Sequence, residues 1–230
     1  MAQAHSLCSI DLFESFDPEA LAGVERKCSW SKHAVGTVIA NFLDEDDSVC
    51  FVTEGCAHVV VYSVGGRAVE FRELRSGDWL CEYEVLGQLG QPARVEAAQD
   101  CVVAKLPGAK FRELVETNPV LSGVFIQHLK EQLGRLTARV YEFSTLAVKE
   151  RVHAELLRLV RDQAAAENVA TIENPPTHLQ IASRISTHRE AVARELNQLA
   201  RNGLIERAGN SLIVRDVSCL ERMVAVANAE

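Results

Sequence analysis

Apolar positions along the chain follow two different periods. Between Ser29 and about Leu106 they fall in short runs broken by turn residues: Cys50-Phe51-Val52, His58 to Tyr62, Ala68 to Leu74 and Cys101 to Leu106, with Gly65-Gly66 and Gly77-Asp78 as punctuation. Short strands at this spacing predict a small antiparallel barrel or roll. A short amphipathic helix is predicted on each side, near Ser15 to Val24 and from Ala109 to Glu116.

Past the roll the period becomes three to four. Ile126, Leu129, Leu133, Leu136, Val140, Phe143 and Ala147 form a heptad seam, with Lys130, Glu131, Arg135 and Arg139 between them. A helix inside a monomer core gives the same stripe. The unbroken seam flanked by charges favours a two-stranded coiled coil, and with it a homodimer. Another helix is predicted from Val148 to about Arg161, and Asp162 to Pro176, ending in Asn174-Pro175-Pro176, reads as a loop.

The stretch from Thr177 onward reads as a helix-turn-helix with a wing. Thr177 and Gln180 have capping-box spacing, and Leu179, Ile181, Ala182 and Ile185 give the first helix an apolar face. A tight turn is expected at Ser186. The second helix is expected from about Thr187 to Arg201, burying Ala191, Val192, Leu196 and Leu199 and turning Arg189, Glu190, Arg194 and Asn197 outward. Asn202-Gly203 ends it, and Leu204-Ile205 and Leu212-Ile213-Val214 flank a Gly209-Asn210 hairpin turn. Helix-turn-helix docking sets the start of the second helix against base edges in the major groove, where an arginine fork matches guanine O6 and N7. Arg189, Glu190 and Arg194 are therefore the candidate base readers, with Thr177, Thr187 and His188 as neighbouring DNA contacts.

Composition adds bounds. A chain of 230 residues holds two modest domains. Its net charge of −8 is unevenly spread: residues 1–146 carry 13 basic and 21 acidic side chains, residues 147–215 carry 10 and 8, and residues 216–230 carry 1 and 3. A mildly basic module on an acidic body suits DNA binding through specific contacts. The seven cysteines include no CxxC pair, which argues for reduced thiols and against a zinc site. With no apolar run of membrane length and no leader-like start, a cytoplasmic protein away from membranes is expected. An enzyme has little to work with, since the carboxylates Asp44 to Asp47 lack a histidine or cysteine at ligand spacing and no phosphate loop is present.

The order of β-roll, long helix and winged helix-turn-helix resembles the cyclic-AMP receptor protein and fumarate-nitrate regulator (Crp/Fnr) family of bacterial transcription regulators over nearly the whole chain. The likeness is most specific in Arg189-Glu190-Ala191-Val192-Ala193-Arg194, matching the family's RExxxR, and in Gly55, Gly77-Asp78 and Val95-Glu96-Ala97 of the roll. It implies an α+β chain with a cyclic-nucleotide-binding-like sensor domain (1–118), a dimerisation helix (119–147) whose seam runs from Ile126 to Phe143, and a winged helix-turn-helix domain (148–230). It also implies that Arg189, Glu190 and Arg194 read a TGTGA half-site in double-stranded palindromic DNA, and that RNA polymerase is a partner.

The effector pocket departs from the family. Its Gly-Glu is Cys81-Glu82 here, and Gln91-Pro92 stands where Arg-Ser would hold the cyclic phosphate. Losing that arginine removes a charge-assisted bond of roughly 1.5–3 kcal/mol, and proline removes a backbone donor. Arg94 is the nearest substitute. On the dimer helix the purine-facing polar pair becomes Leu136-Thr137. Cyclic AMP is therefore not expected to be the physiological effector. For haem, Cys81 lies near the place of a cysteine ligand, but Tyr83 occupies that of the histidine, which argues against it. The spacing of Cys8 and Cys28 argues against an iron–sulfur cluster.

Overall fold

The computed structural model describes residues 6–41, 47–62, 68–80, 93–161 and 168–227. The chain divides into two compact units, Met1–Leu133 and Gly134–Glu230.

Among the described residues of the first unit, eight strands form two antiparallel sheets: β1 (Ser29–His33), β2 (Val38–Asn41), β3 (Val49–Glu54), β4 (Cys56–Tyr62), β5 (Ala68–Arg75), β6 (Trp79–Leu80), β7 (Ala93–Ala97) and β8 (Cys101–Leu106). One sheet has the order β1-β8-β3-β6 and the other β2-β7-β4-β5. This is the expected roll. Alternate residues of both sheets, among them Val52, Val59, Leu74, Val95 and Val103, meet in one buried core. Gly55 makes the β3–β4 corner possible: its φ is +81°, and a Cβ there would lie 2.2 Å from the Asp100 carbonyl oxygen.

The outer face of the β1-β8-β3-β6 sheet is covered by helix. Phe51, Trp79, Ala104 and Leu106 pack with Leu12 and Phe13 of the amino-terminal segment, Val24 of α1 (Pro18–Glu25), Phe111 of α2 (Gly108–Thr117) and Leu121 of α3 (Pro119–Thr145). Trp79 is the hub, stacked on His128 with ring centroids 3.9 Å apart and donating from Nε1 to Asp11 at 3.2 Å. The outer face of the β2-β7-β4-β5 sheet is polar instead. There the Tyr62 hydroxyl donates to Glu96 at 2.7 Å, and His58 lies 3.5 Å from carboxylate oxygens of both Glu70 and Glu73. Burial disfavours charge on His58, but hydrogen bonds to Cys56 and Glu73 and the charge of Glu70 outweigh it and lift its pKa to about 9.

The division between the units falls inside α3, between the boundaries at 118 and 147 that the sequence suggests. No described helix is long and apolar enough to cross a membrane.

The second unit is built around α4 (Val148–Arg161), which buries Val152, Leu156, Leu157, Leu159 and Val160 against α5 (His178–Arg184), α6 (Arg189–Arg201), α7 (Val217–Ala227) and a small sheet. That sheet has three strands, β9 (Ala170–Glu173), β10 (Ile205–Ala208) and β11 (Ser211–Val214), in the order β10-β11-β9. The expected loop before the helix-turn-helix thus contains a strand. Ala170 and Ile172 point into the core while Thr171 and Glu173 face out, and the segment is fixed by pairing with β11. Four residues are too few for that alternation to stand out in the sequence.

Candidate nucleic-acid interface

Two short helices and a hairpin carry the candidate DNA-contacting residues. The capping box at the start of α5 is present: Gln180 donates its backbone N–H to Thr177 Oγ1 at 3.3 Å, and the Thr177 N–H donates to Gln180 Oε1 at 2.7 Å. Ile181, Ala182 and Ile185 are buried as expected, but Leu179 is 66% exposed, because it faces away from the side that meets α4 and α6. Ser186 makes the turn with φ 51°, a left-handed conformation costing a non-glycine residue about 1 kcal/mol.

The second helix starts two residues later than expected. His188 is its N-cap and makes no side-chain capping bond, so no capping box joins Thr187 to Glu190. Thr187 is buried, with its backbone N–H donating to the Ala182 carbonyl at 2.9 Å. Its place is inside the turn between the two helices. His188, Arg189, Glu190, Arg194 and Asn197 are exposed on one side of α6, while Val192, Leu196 and Leu199 bury the other. Thr177 is exposed one helix earlier.

A polar framework without a signature in the sequence holds these helices. His153 of α4, buried, bonds Glu195 of α6 at 2.7 Å from the side opposite the reading face. Glu155, also buried, takes Arg158 and Arg184, and Arg158 reaches Glu142 as well. Two arginines satisfy carbonyls at the end of α5 and its turn: Arg139 donates to the Arg184 carbonyl, and Arg151 to that of Ile185 at 3.0 Å. Both guanidiniums also lie over the Phe143 ring, 5.1 Å and 5.5 Å from its centroid. In sequence these residues read as an ordinary solvated face of a helix.

The wing completes the surface. Gly209, with φ +60°, and Asn210 form the two-residue turn between Ala208 and Ser211, and glycine at the first turn position suits the twist of a hairpin. Arg207 on β10 and Arg189 on α6 are close enough to His178, at the start of α5, to act on its charge. Burial first, then these two guanidiniums, hold the His178 pKa below its ordinary value. Two elements therefore bring guanidiniums beside His178, and Arg207 joins the candidates the sequence suggests.

Cys81, Glu82, Gln91 and Pro92 lie outside the described residues, as does Tyr83. Arg94 is exposed on β7 and sits over the Tyr62 ring, 5.5 Å from its centroid. Strand alternation puts it on the face opposite the buried Val95, away from the roll interior. Thr137 is exposed on α3. Along that helix the seam is open within the chain: Ile126, Leu133 and Val140 are 65–66% exposed, and Leu129, Leu136 and Phe143 are 37–42% exposed.

An eight-stranded roll followed by a long helix and a winged helix-turn-helix defines a DNA-binding regulator of transcription with a sensor-type amino-terminal domain. Residues 32–118 match the model of the cyclic nucleotide-binding domain, and residues 150–223 that of the Crp-like helix-turn-helix domain. The chain belongs to the Crp/Fnr family of transcription regulators. It is 25% identical to the cAMP-activated global transcriptional regulator Vfr of Pseudomonas aeruginosa, over 81% of this chain and 89% of that one. It is 27% identical to the transcriptional regulator SdrP of Thermus thermophilus, over 75% and 81%. In fold it is similar to a CooA variant from Carboxydothermus hydrogenoformans, with a TM-score of 0.80 at 19% identity over 93% of this chain and 95% of that one.

Proposed function

We propose that this regulator acts as a homodimer on a two-fold palindrome resembling TGTGA-N6-TCACA. Arg189 and Arg194 donate to guanines and Glu190 accepts from a cytosine amine in each half-site. The observation that carries this reading is the outward face of α6, where these three side chains are exposed together beside Arg207 and His178. The exposed seam of α3 supports the dimer, which sets two recognition helices about one helical turn of DNA apart. Thr177 and His188 serve as flanking contacts, and RNA polymerase in the cytoplasm is the partner that turns binding into regulation.

Vfr is named as activated by cAMP, but the phosphate-holding pair is missing from this sequence at Gln91-Pro92. The roll therefore answers to a different signal or has lost its ligand, and neither cyclic AMP nor haem fills that role. Two experiments test the proposal. Selection from a random-site DNA library should return an inverted repeat, and a one-sided or featureless motif would overturn the dimeric reading. Calorimetric titration with cyclic AMP should show no saturable binding; micromolar binding that also raises DNA affinity would overturn the effector reading.

A further inference from the structure

We infer that Cys56, His58 and Glu73, on the outer face of the β2-β7-β4-β5 sheet, form a binding site for a divalent transition metal, zinc by the chemistry of its donors. One thiol sulfur, one imidazole nitrogen and one carboxylate oxygen lie within 4.8 Å of one another. The sheet itself makes the cluster. Cys56 and His58 are two apart on β4 and share a face, and His58 is directly opposite Glu73 on β5.

The distances are close to those a metal requires. Zinc bonds of roughly 2.0–2.3 Å in tetrahedral array place donors about 3.3–3.8 Å from one another. His58 Nε2 and Glu73 Oε2 are already 3.5 Å apart, and one donor atom from each of Cys56, His58 and Glu73 lies within 4.8 Å of the other two. The remaining atoms are arranged as supports. Nδ1 of His58 faces Glu70 Oε2 at 3.5 Å, and Glu70 is 6% exposed, which is the carboxylate–histidine pairing that orients a metal-bound imidazole. The Arg75 Nε donates to Glu73 Oε1 at 2.6 Å, leaving Oε2 on the histidine side.

The donor set limits the choice of ion. A thiolate with an imidazole selects zinc and related borderline ions over magnesium or calcium, which demand oxygen. Thiolate and carboxylate together balance the two positive charges. Coordination releases the Cys56 thiol proton and the proton held on His58 to solvent. Three protein ligands leave a fourth position for water or a small ligand, and the site is only partly shielded, with His58 and Glu73 side chains 15% and 21% exposed. The sequence hid it because the third donor lies fifteen residues away on the neighbouring strand.

The test uses the full-length protein, reduced and stripped with a chelator. Cobalt(II) should give intense d–d bands of tetrahedral type with a thiolate-to-metal charge-transfer band, at one ion per chain, and zinc should displace it. Cys56→Ser should abolish the charge-transfer band, and His58→Gln should weaken zinc binding by more than ~100-fold, as loss of a direct ligand exceeds the 10–100-fold cost of losing a support. Glu70→Gln should fall in that lower range, while Cys28→Ser should change nothing. A wild-type cobalt spectrum without the thiolate band overturns the site whatever the variants do. So does zinc affinity unchanged in both Cys56→Ser and His58→Gln, with far-ultraviolet dichroism confirming that they fold. None of these readouts involves DNA, so they stand or fall apart from the proposed palindrome.

Discussion

Helices α3 and α6 each show a face that is largely exposed among the described residues, and the two faces are opposite in kind. Along α3 the exposed face is aliphatic and aromatic, from Ile126 to Phe143. On α6 it is charged, with Arg189, Glu190 and Arg194 standing out while the aliphatic stripe is buried. An apolar stripe gains by leaving water against another apolar stripe, and a second copy of the same helix supplies one. A charged face loses by such burial and gains only from a partner with matching hydrogen-bond groups. Sequence periodicity reports both stripes as amphipathic helices. Only their exposure tells which side seeks the partner.

The largest effect is expected from breaking the apolar side of this contrast. Leu133→Glu or Leu136→Glu puts a charge where the proposed seam would desolvate it without a partner, at a cost of several kcal/mol. Each variant should be monomeric by light scattering and bind its operator weakly, one half-site at a time. A dimer retained in both would remove the seam as the interface.

Next come the arginines of the charged face. One bidentate arginine–guanine contact discriminates by about 1–3 kcal/mol, and a dimer makes it twice, so Arg189→Ala or Arg194→Ala should cost specific binding roughly thirty-fold to twenty-thousand-fold. Nonspecific binding at the same salt should barely move. Equal losses on specific and random DNA would mean that the arginines touch only phosphates.

Glu190→Ala sharpens the comparison further. Selection should show relaxed preference at one base pair per half-site. With no capping box to lose, thermal stability should fall only by the dipole contribution of an acid in the first turn, about 0.3–1 kcal/mol. An unchanged motif with a larger stability loss would assign Glu190 to the fold.

The smallest expected effect concerns His178. Its folded pKa lies below the ordinary histidine value, so the unfolded chain takes up the proton first and this group's contribution to stability is lost as pH falls from about 6.5 through the lower folded value. DNA phosphates act in the opposite direction, favouring the proton. Affinity for DNA should therefore rise modestly as pH drops through the same window, and His178→Gln should flatten that part of the profile. Fluorescence anisotropy at several pH values measures it, and identical profiles for both proteins would exclude His178 from the interface.

What could be read in advance follows from the range of the forces involved. The helices α3 to α6 and the Gly209-Asn210 hairpin were legible because periodicity, caps and turn chemistry are local. The missed features depend on residues far apart in sequence. Strand β9 exists through its pairing with β11, and Thr187 is buried because the turn at Ser186 folds back on Ala182. Arg139, Arg151 and His153 act through carbonyls and carboxylates some thirty to forty-five residues away. Cys56 and His58 gain significance only when β5 brings Glu73 beside them.

Strand β9 also bears on the thermodynamics of operator binding. A lone two-stranded hairpin is marginally stable in water, so a wing of that kind would surrender conformational freedom on meeting the sugar-phosphate backbone. Here β11 is the central strand, gripped from both edges, and Ile172 and Leu212 seat the sheet in the domain core. The wing is therefore preorganised, and the ordering entropy is spent during folding rather than at the encounter with DNA. In the proposed complex Arg207 would meet the duplex from a strand already paired in that sheet.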